Sequence, residues 1–357
     1  MASWQGSLIA TLNKYIKGKI DSFDRRSVLY MMLKQNGRIV TGAPAAGENT
    51  VWNIQHRLPT TNVYEDMAFR NPGRTNLLKQ ASLPWGLYDC PSALSKFDLL
   101  KNKGEVEMTN LLAMTAESNL KSMEQKIAND LYIDGTGTNQ IHGFNSWAGS
   151  GATLSNGVFN PSDTYATLST ALGNYGGTAP TGGTWPDGVT ATPQYDFHSP
   201  LLVSSTSTAF GATNTWAANC LQIMRKTKIW ADNKGAENRG PTTAVMSANY
   251  YNDLKAQLEV KEQVCITSAH ASLVKFGYPA VEIEGMAITH EYWCPSSCVF
   301  GINWDVLELR SLQDDVFHVD EKLYNDADKS WKLGADAYIQ LVHYALPPMF
   351  KISELGS

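Results

Sequence analysis

The chain has 357 residues, of which 43% are hydrophobic and 18% are charged, and its formal net charge is −5. This acidic balance argues against binding nucleic acid through overall charge. No run approaches the roughly 20 apolar residues of a membrane-spanning helix, and the amino end lacks the apolar stretch of a signal peptide. Five scattered cysteines in so long a chain are expected to be reduced thiols. These features predict a soluble protein.

The charges are unevenly distributed along the chain. Residues 1–38 hold seven basic and two acidic side chains, so this segment carries +5 and the rest of the chain carries −10. From Ile127 to Met224 there is no lysine or arginine, so this stretch is not expected to line a surface that contacts phosphate groups. The basic segment fits two interpretations, an ordinary solvated face or an arm that contacts DNA.

The amino-terminal part predicts helices followed by a hairpin. Apolar spacing from Ile9 to Ile20 predicts an amphipathic helix, and it resumes from Phe23 to Leu33 before the turn at Asn36-Gly37. Arg38–Thr41 and Thr50–Arg57 then predict two strands of a hairpin. Because a lone two-stranded hairpin with few core positions is marginal in water, we expect another subunit to order it.

A long helix of about 105–134 is the clearest element of the sequence. Glu105 and Glu107 lie in its first turn, where they complement the helix dipole, and Asp134-Gly135 marks its end. No proline or glycine interrupts the helical spacing of its apolar residues, which are Leu112, Ala116, Leu120, Met123, Ile127 and Leu131.

The remaining chain predicts a loop-rich part followed by helices and strands. Residues 145–215 are rich in Gly, Ser, Thr, Asn and Pro, which predicts loops and short strands anchored by aromatic side chains. Helices are predicted over Ala217–Trp230 and from Ser247 to about Val260. Strands are predicted over Thr242–Met246, Val281–Ile288, Val299–Ile302, Val306–Leu312 and Ala337–Ala345. Helices and antiparallel strands are segregated, so the predicted fold class is α+β.

No catalytic motif emerges from the sequence. Cys294 and Cys298, with His290 nearby, are the best zinc candidates, but a fourth ligand is not evident in this segment and Pro295 prevents a helix that would align the cysteines. Gly135-Thr136-Gly137 lacks the spacing, strand and helix of a dinucleotide loop. We therefore predict no catalytic residue, cofactor or metal site, and a protein that is not an enzyme.

The order of these elements resembles the HK97-like capsid fold of tailed bacteriophages. Thr115 to Gly143 resembles the spine helix of that family and the L-Y-x-D-G-T-G turn that follows it. Thr242 to Leu258 is similar to its strand and capped helix, and Val281 to Asn303 to its glycine-centred strand pair. The resemblance covers most of the chain in the same order.

This resemblance implies a division of the chain into four parts. Residues 1–37 are expected to form an N-terminal arm, and 38–79 an extended loop built as a β-hairpin. Residues 80–144 and 301–357 are expected to form a peripheral domain with the spine helix. Residues 145–300 are expected to form an axial domain with a loop-rich insertion.

The resemblance also implies a structural function. The subunit is expected to assemble with itself into hexamers and pentamers of an icosahedral shell that encloses double-stranded DNA. The virion capsid is expected to form in the bacterial host cytoplasm, with a portal, possible decoration proteins and no membrane. Because only about 37 residues precede the hairpin, a separate scaffolding protein or none is expected. Two alternatives stay open: an encapsulin-like compartment shell, and a carbohydrate-binding or adhesive surface protein.

Two groups of residues are candidates for contacts in such a shell. The hairpin supplies candidates for intersubunit contacts, which also fit a local aromatic cluster beside a solvated arginine: Trp52, His56, Arg57 and Tyr64. The N-terminal arm supplies candidates that face packaged DNA or carboxylates of a neighbour: Lys14, Lys17, Arg25 and Arg26.

Overall fold

The computed structural model describes residues 27–354 apart from short internal stretches, which are 43–46, 60, 62, 65, 67–72, 74, 98–104, 182–184, 189–191, 212, 235–239, 261–279 and 320–322. The helix predicted from Ile9 to Ile20 lies outside the described residues. The α-helices are α1 (Val28–Gln35), α2 (Glu105–Asp130), α3 (Pro193–Asp196), α4 (Trp216–Asn233) and α5 (Ala248–Val260). Short 3-10 turns occupy Phe144–Trp147, Thr208–Phe210 and Trp304–Val306.

Strands make up most of the other regular structure in the described residues. They are β1 (Ile39–Val40), β2 (Asn49–Gln55), β3 (Leu78–Pro84), β4 (Gly86–Asp89), β5 (Ser92–Ser95), β6 (Ser150–Thr153), β7 (Phe159–Pro161), β8 (Thr164–Tyr165), β9 (Leu168–Ser169), β10 (Leu201–Ser204), β11 (Thr243–Met246), β12 (Val281–Ile283), β13 (Met286–His290), β14 (Cys298–Ile302), β15 (Leu307–Ser311), β16 (His318–Val319), β17 (Leu323–Asn325), β18 (Ser330–Leu333), β19 (Ala335–His343) and β20 (Phe350–Ser353). The predicted α+β class is confirmed.

The predicted long helix is confirmed as α2, whose 26 residues span about 39 Å. It ends at Asp130, a buried carboxylate that accepts a hydrogen bond from Tyr88 Oη at 2.9 Å. The returning chain passes so close that a Cβ atom on Gly143 would lie 2.5 Å from the carbonyl oxygen of Leu131. Phe144 N–H donates to that same oxygen at 2.8 Å. Only glycine fits at position 143 without displacing the backbone.

The largest sheet has six strands in the order β10-β20-β14-β11-β13-β12. Helices α4 and α5 cover one face, where Val299 of β14 lies in their apolar cluster. The next residue, Phe300, points to the opposite face and packs in the main core with Phe144 and Leu131. Strand β14 is buried along its whole length because both faces of the sheet are covered.

A second sheet contains β15 and β19 with β1, β4 and β16. Leu309, Ile339 and Leu341 of this sheet join the main core, which also holds the apolar face of α1 and the end of α2. A three-stranded sheet, β17-β18-β5, contacts α2 through Ser92 Oγ, which donates to Asn119 Oδ1 at 2.6 Å. The end of α2 thus packs in the core that both larger sheets share.

The strand pairing at the amino end corrects the predicted hairpin. Strand β1 does not pair with β2 but lies parallel to β15, and β2 pairs with β3 from Asn49 opposite Pro84 to Gln55 opposite Leu78. Ile39 and Val40 add to β15 because that strand offers a free edge next to the core. A hairpin is present, and its second strand is one that the sequence pattern did not identify.

Two further expectations differ from the structure. Strand β20 falls in the range 301–357 that was expected to be peripheral, but it pairs with β10 and β14 in the six-stranded sheet. Its four buried residues fill the gap between those strands. Ser247 precedes α5 as predicted, but its hydroxyl is buried without a hydrogen-bond partner, so it does not cap the helix through its side chain.

The start of α1 is held by a buried carboxylate distant in sequence. Glu291 accepts hydrogen bonds from Ser27 Oγ at 2.6 Å, Leu29 N–H at 3.2 Å and Tyr132 Oη at 2.5 Å. Burial raises the pKa of Glu291, and these hydrogen bonds oppose that rise. Because a helix N-terminus favours negative charge, this contact docks α1 on the body.

The hairpin of β2 and β3 packs on its own subunit at its base. Trp52 lies with its ring centre 6.5 Å from that of Tyr165 and 5.9 Å from that of Tyr344. The backbone N–H of Ser82 donates to the carbonyl oxygen of Ala166 at 3.1 Å. The inner face of the hairpin is therefore ordered by the body of the same chain.

Replacing Glu291 with alanine is expected to lower the free energy of unfolding by about 2–4 kcal/mol, because Ser27 and Tyr132 lose their acceptor in a buried site. Chemical denaturation at pH 7 measures this change. Glu259→Ala removes an exposed carboxylate that faces Lys255 at 3.9 Å and is the control, with an expected change within about 0.5 kcal/mol. Equal effects of the two substitutions would contradict the docking of α1 through Glu291.

Replacing Trp52 with alanine is expected to cost about 3–5 kcal/mol of folding stability, because it leaves a cavity between Tyr165 and Tyr344. The matched control is Asn53→Ala, the next residue on the exposed face, with an expected change within about 0.5 kcal/mol. Both are read from denaturation curves. A loss below about 1 kcal/mol for Trp52→Ala would mean that the hairpin base is not held by its own body.

Candidate subunit interface

Exposed apolar side chains are concentrated in the hairpin segment, which we define as residues 49–84. Of the eleven large hydrophobic side chains exposed in the described part of the chain, five belong to it: Val51, Leu58, Val63, Tyr64 and Leu78. Val63 and Tyr64 lie beyond the paired strands, towards the tip. Several large apolar groups exposed in one segment favour this segment as a surface that binds another protein.

Strand alternation produces this exposure. Trp52 lies opposite Ala81 and both point inward, whereas Val51 on the same strand points to solvent. Leu78 extends the outer face from its position opposite Gln55. Because successive side chains of a strand point to opposite faces, one face of the hairpin packs on the body and the other is exposed to solvent.

The structure separates the four hairpin candidates into two pairs. Trp52 and His56 are buried within their own chain, and His56 lies with its Nδ1 3.2 Å from the carbonyl oxygen of Leu77 and its ring 5.8 Å from that of Phe197. Arg57 and Tyr64 are exposed. A buried side chain offers a neighbour little surface, so Arg57 and Tyr64 stay as contact candidates.

Sequence reasoning missed the outer apolar residues of the hairpin segment. Val51 has the same alternating pattern as Trp52, and the pattern alone does not tell which face is covered by the body. Leu58 lies in an irregular stretch where no periodic signal exists. Leu78 begins a strand whose sequence, LKQASLP, lacks strong strand formers.

A second exposed apolar patch lies on the three-stranded sheet. Tyr324 is exposed and its ring centre lies 5.1 Å from that of Trp331, while Lys96 Nζ lies 5.8 Å from the Tyr324 ring centre. Phe97 is exposed next to Lys96. The chain thus carries two apolar patches on different elements, which is the arrangement that a head-to-tail contact between identical subunits requires.

The described residues give a limited view of the basic candidates. Lys14, Lys17, Arg25 and Arg26 all lie outside the described residues. Arg38, at the end of the basic segment, pairs with Asp305 at 2.6 Å. This ion pair fixes the point at which the segment joins the body.

A cavity of about 650 Å³ lies beside the loop-rich part of the chain. Within it, Lys234 Nζ contacts Asp196 Oδ2 at 2.5 Å and lies 4.1 Å from the ring centre of Trp185. Trp185 Nε1 donates to the same carboxylate oxygen at 2.9 Å. Burial lowers the pKa of Lys234, and the carboxylate of Asp196 opposes that shift. These polar groups satisfy one another, so they tie α4 to the loop-rich part.

The cysteine pair does not form a metal centre with its neighbours. Cys294 Sγ lies 3.7 Å from the carbonyl oxygen of Cys298, and both side chains are buried. Burial raises the pKa of the Cys294 thiol, so a reactive thiolate is disfavoured. No group of three or more His, Cys, Asp or Glu side chains within the described ranges is placed to hold a metal ion. In those same ranges, no helix is long and apolar enough to cross a membrane.

Comparison with known proteins identifies the fold through solved structures. No family model and no curated protein sequence matches the chain. A chain from the capsid asymmetric unit of cyanophage A-1(L) matches with a TM-score of 0.58 and 14% identity, over 95% of both chains. The capsid of a native GTA particle matches at 0.56 and 10% identity, over 94% of this chain and 91% of its own. A Mycobacterium phage Bobi structure matches at 0.50 and 10% identity, over 93% and 92%.

At these identities the likeness concerns the fold. It extends over almost the whole of each chain, so the elements follow one another in the same order from end to end. The chain therefore has the fold of phage capsid subunits, which confirms the predicted HK97-like fold.

Proposed function

We propose that this chain is the major capsid subunit of a tailed bacteriophage. It self-assembles into hexamers and pentamers, which close an icosahedral shell around double-stranded DNA, and its role is structural rather than catalytic. The observation that supports this most directly is the near-complete overlap with capsid chains, 95% of both chains for the cyanophage subunit. Because identical subunits related by symmetry can close a shell, a single kind of subunit is enough to build it.

The proposed organisation follows the expected parts with adjustments at the extended loop and at β20. Residues 1–37 form the N-terminal arm, 49–84 the extended loop, 85–144 with most of 301–357 the peripheral domain, and 145–300 the axial domain, and β1 joins the peripheral domain because it pairs with β15. Strand β20 is assigned to the axial domain because it pairs with β10 and β14.

The hairpin segment is the proposed contact to a neighbouring subunit. Its base is ordered by Trp52 on its own body, so the subunit presents the outer face of β2 and β3 in a defined position. Leu58, Val63 and Tyr64 then lose water when a neighbour covers them. Arg57 supplies a charged group at the rim of this contact. The exposed patch around Phe97 and Tyr324 offers a surface of matching character on the neighbour.

Charge supports an orientation of the subunit relative to DNA. The basic arm with Lys14, Lys17, Arg25 and Arg26 is placed towards the packaged DNA or against carboxylates of a neighbour. The stretch from Ile127 to Met224 has no lysine or arginine, so it is placed away from the phosphates.

The proposed partners complete a virion. They are further copies of this chain, a separate scaffolding protein, a portal, possible decoration proteins and packaged DNA held by non-specific contacts. Assembly takes place in the host cytoplasm. An encapsulin-like shell would form similar particles around a protein cargo, so the nucleic-acid content of purified particles separates the two.

Replacing Leu58 and Val63 with aspartate is expected to abolish shell formation, because two buried charges in the contact are unpaired. Electron microscopy and size-exclusion chromatography of the purified chain measure assembly. Folding stability is expected to change by less than about 1 kcal/mol, since both side chains are exposed in the subunit.

Ile229→Asp is the matched control for this substitution. Ile229 is an exposed apolar residue on α4, away from the hairpin segment, and its replacement is expected to leave shells intact. A wild-type chain that stays a discrete monomer, both alone and with its scaffolding protein, would overturn the capsid function itself. Shells from the hairpin variant would overturn only the proposed contact.

Replacing Lys14, Lys17, Arg25 and Arg26 with glutamine is expected to weaken DNA retention. The plot of log binding constant against log salt concentration has a negative slope, and the magnitude of this slope is expected to decrease by about 3–4 for non-specific duplex DNA. Fluorescence anisotropy of the full chain with labelled duplex measures both quantities. The control changes four exposed lysines of the body, Lys96, Lys255, Lys329 and Lys332. If the arm variant keeps assembly, retention and slope unchanged, the arm does not contact DNA.

A further inference from the structure

Two buried histidines meet at one tyrosine where distant parts of the chain join. We call this group, His198, His343 and Tyr165, the histidine joint. Tyr165 belongs to β8 in the loop-rich part, His198 lies just before β10, and His343 ends β19. All three side chains are at most 1% exposed. The joint thus connects the loop-rich part to the sheet of β15 and β19.

Hydrogen bonds of neutral imidazoles hold the joint together. Tyr165 Oη lies 3.0 Å from His343 Nδ1 and accepts the backbone N–H of His343 at 3.0 Å. His198 Nε2 lies 3.2 Å from the carbonyl oxygen of Tyr165. The rings of Phe144 and Trp147 close the other side of His343, at 5.1 and 6.0 Å between centres.

The remaining ring nitrogens have no partner for an added proton. His343 Nε2 and His198 Nδ1 are buried without a hydrogen-bond partner among the described residues. Protonation of either ring would bury a positive charge and an N–H group with no acceptor, which is costly.

Within the described ranges, no carboxylate acts electrostatically on either imidazole. His142, on the segment that follows α2, acts electrostatically on His343 and is itself a base. Tyr165 and Tyr344 are the other titratable groups that face the joint, and both are neutral phenols at acid pH. The carboxylate nearest along the chain, Asp196, is engaged by Lys234.

We propose that the histidine joint is an acid-sensitive contact: when its imidazoles take up protons, residues 163–170 and 194–198 detach from β19 while the six-stranded sheet with α4 and α5 stays folded. Trp185 and Tyr195 pack with the apolar cluster under α4 and α5, and Lys234 at the end of α4 binds Asp196, so this part of the chain stays attached to α4 when it leaves β19. This inference concerns the folded chain and holds whether or not the chain forms shells.

The sign of the pH effect follows from burial. Burial lowers the pKa of His198 to about 4 and that of His343 to about 3, from an ordinary value near 6.5. The closed joint therefore binds fewer protons than the open one, and its stability is lost as the pH falls below about 6.5. Between pH 7 and pH 5, each histidine raises the opening equilibrium constant by roughly 20-fold to 25-fold. The raised pKa of Glu291 makes the folded chain more stable as the pH falls, so in global stability it opposes this trend. Glu291 acts at α1, however, and not at the histidine joint.

Hydrogen exchange of the full chain at pH 7 and pH 5, read by mass spectrometry and corrected for intrinsic exchange rates, tests the proposal. Peptides covering residues 163–170, 194–199 and 335–344 are expected to lose protection at pH 5 by a factor on the order of 100 or more. Peptides from α4 and α5 are expected to keep theirs. Equal loss everywhere, or no loss in the joint, would overturn the proposal.

A variant with His198→Gln and His343→Gln keeps amide groups for hydrogen bonding but has no titratable ring. It is expected to remove the pH dependence of the joint peptides, whereas the control His318→Gln, at an exposed histidine, leaves it unchanged. An unchanged dependence in the double variant would assign the opening to other groups. If the double variant does not fold, the exchange pattern of the natural chain decides the question alone.

Discussion

The packing of Phe144 is the constraint on which the other parts of the structure depend. Its ring contacts Tyr132 at the end of α2, Phe300 in the six-stranded sheet and His343 at the end of β19, with ring centres 6.0, 5.5 and 5.1 Å apart. It reaches that position because Gly143 lets the chain pass against the last turn of α2. A side chain at 143 would push Phe144 out of the core, and the two sheets would lose their common contact.

The hairpin segment depends less on a neighbouring subunit than its sequence predicts, because it packs against this core. A hairpin with few apolar positions was expected to depend on a neighbour, yet Trp52 anchors its base between Tyr165 and Tyr344 of the same chain. In the described part of the segment, Val51, Leu58 and Val63 stay uncovered. Under the proposed function, the subunit holds the outer face of β2 and β3 in place before a partner arrives, which reduces the entropy lost on association.

The sequence predicts elements well where the signal is local and poorly where it is not. Helices α2, α4 and α5 lie close to their predicted bounds because apolar spacing and stop signals are encoded within each helix. The pairing of β1 with β15 joins residues about 270 positions apart, and no local pattern specifies it. The contact of Ser27 with Glu291 spans 264 positions in the same way. In the candidate interface, a hairpin with β2 as its first strand could be predicted from the sequence. The burial of Trp52 against the body could not, because alternation does not identify which face of a strand is covered.

One carboxylate of the long stretch without lysine or arginine, that of Asp163, is held by backbone N–H groups. Asp163 accepts the backbone N–H of Gly149 at 3.0 Å and that of Thr164 at 2.7 Å. Backbone donors thus hold Asp163, whereas Asp130 and Asp196 of the same stretch pair with Lys126 and Lys234, which lie just outside it, at 2.8 and 2.5 Å. The stretch itself supplies no lysine or arginine to attract phosphates. Under the proposed function, this favours the placement of the stretch away from packaged DNA, because the proposed DNA contacts then come from the basic arm.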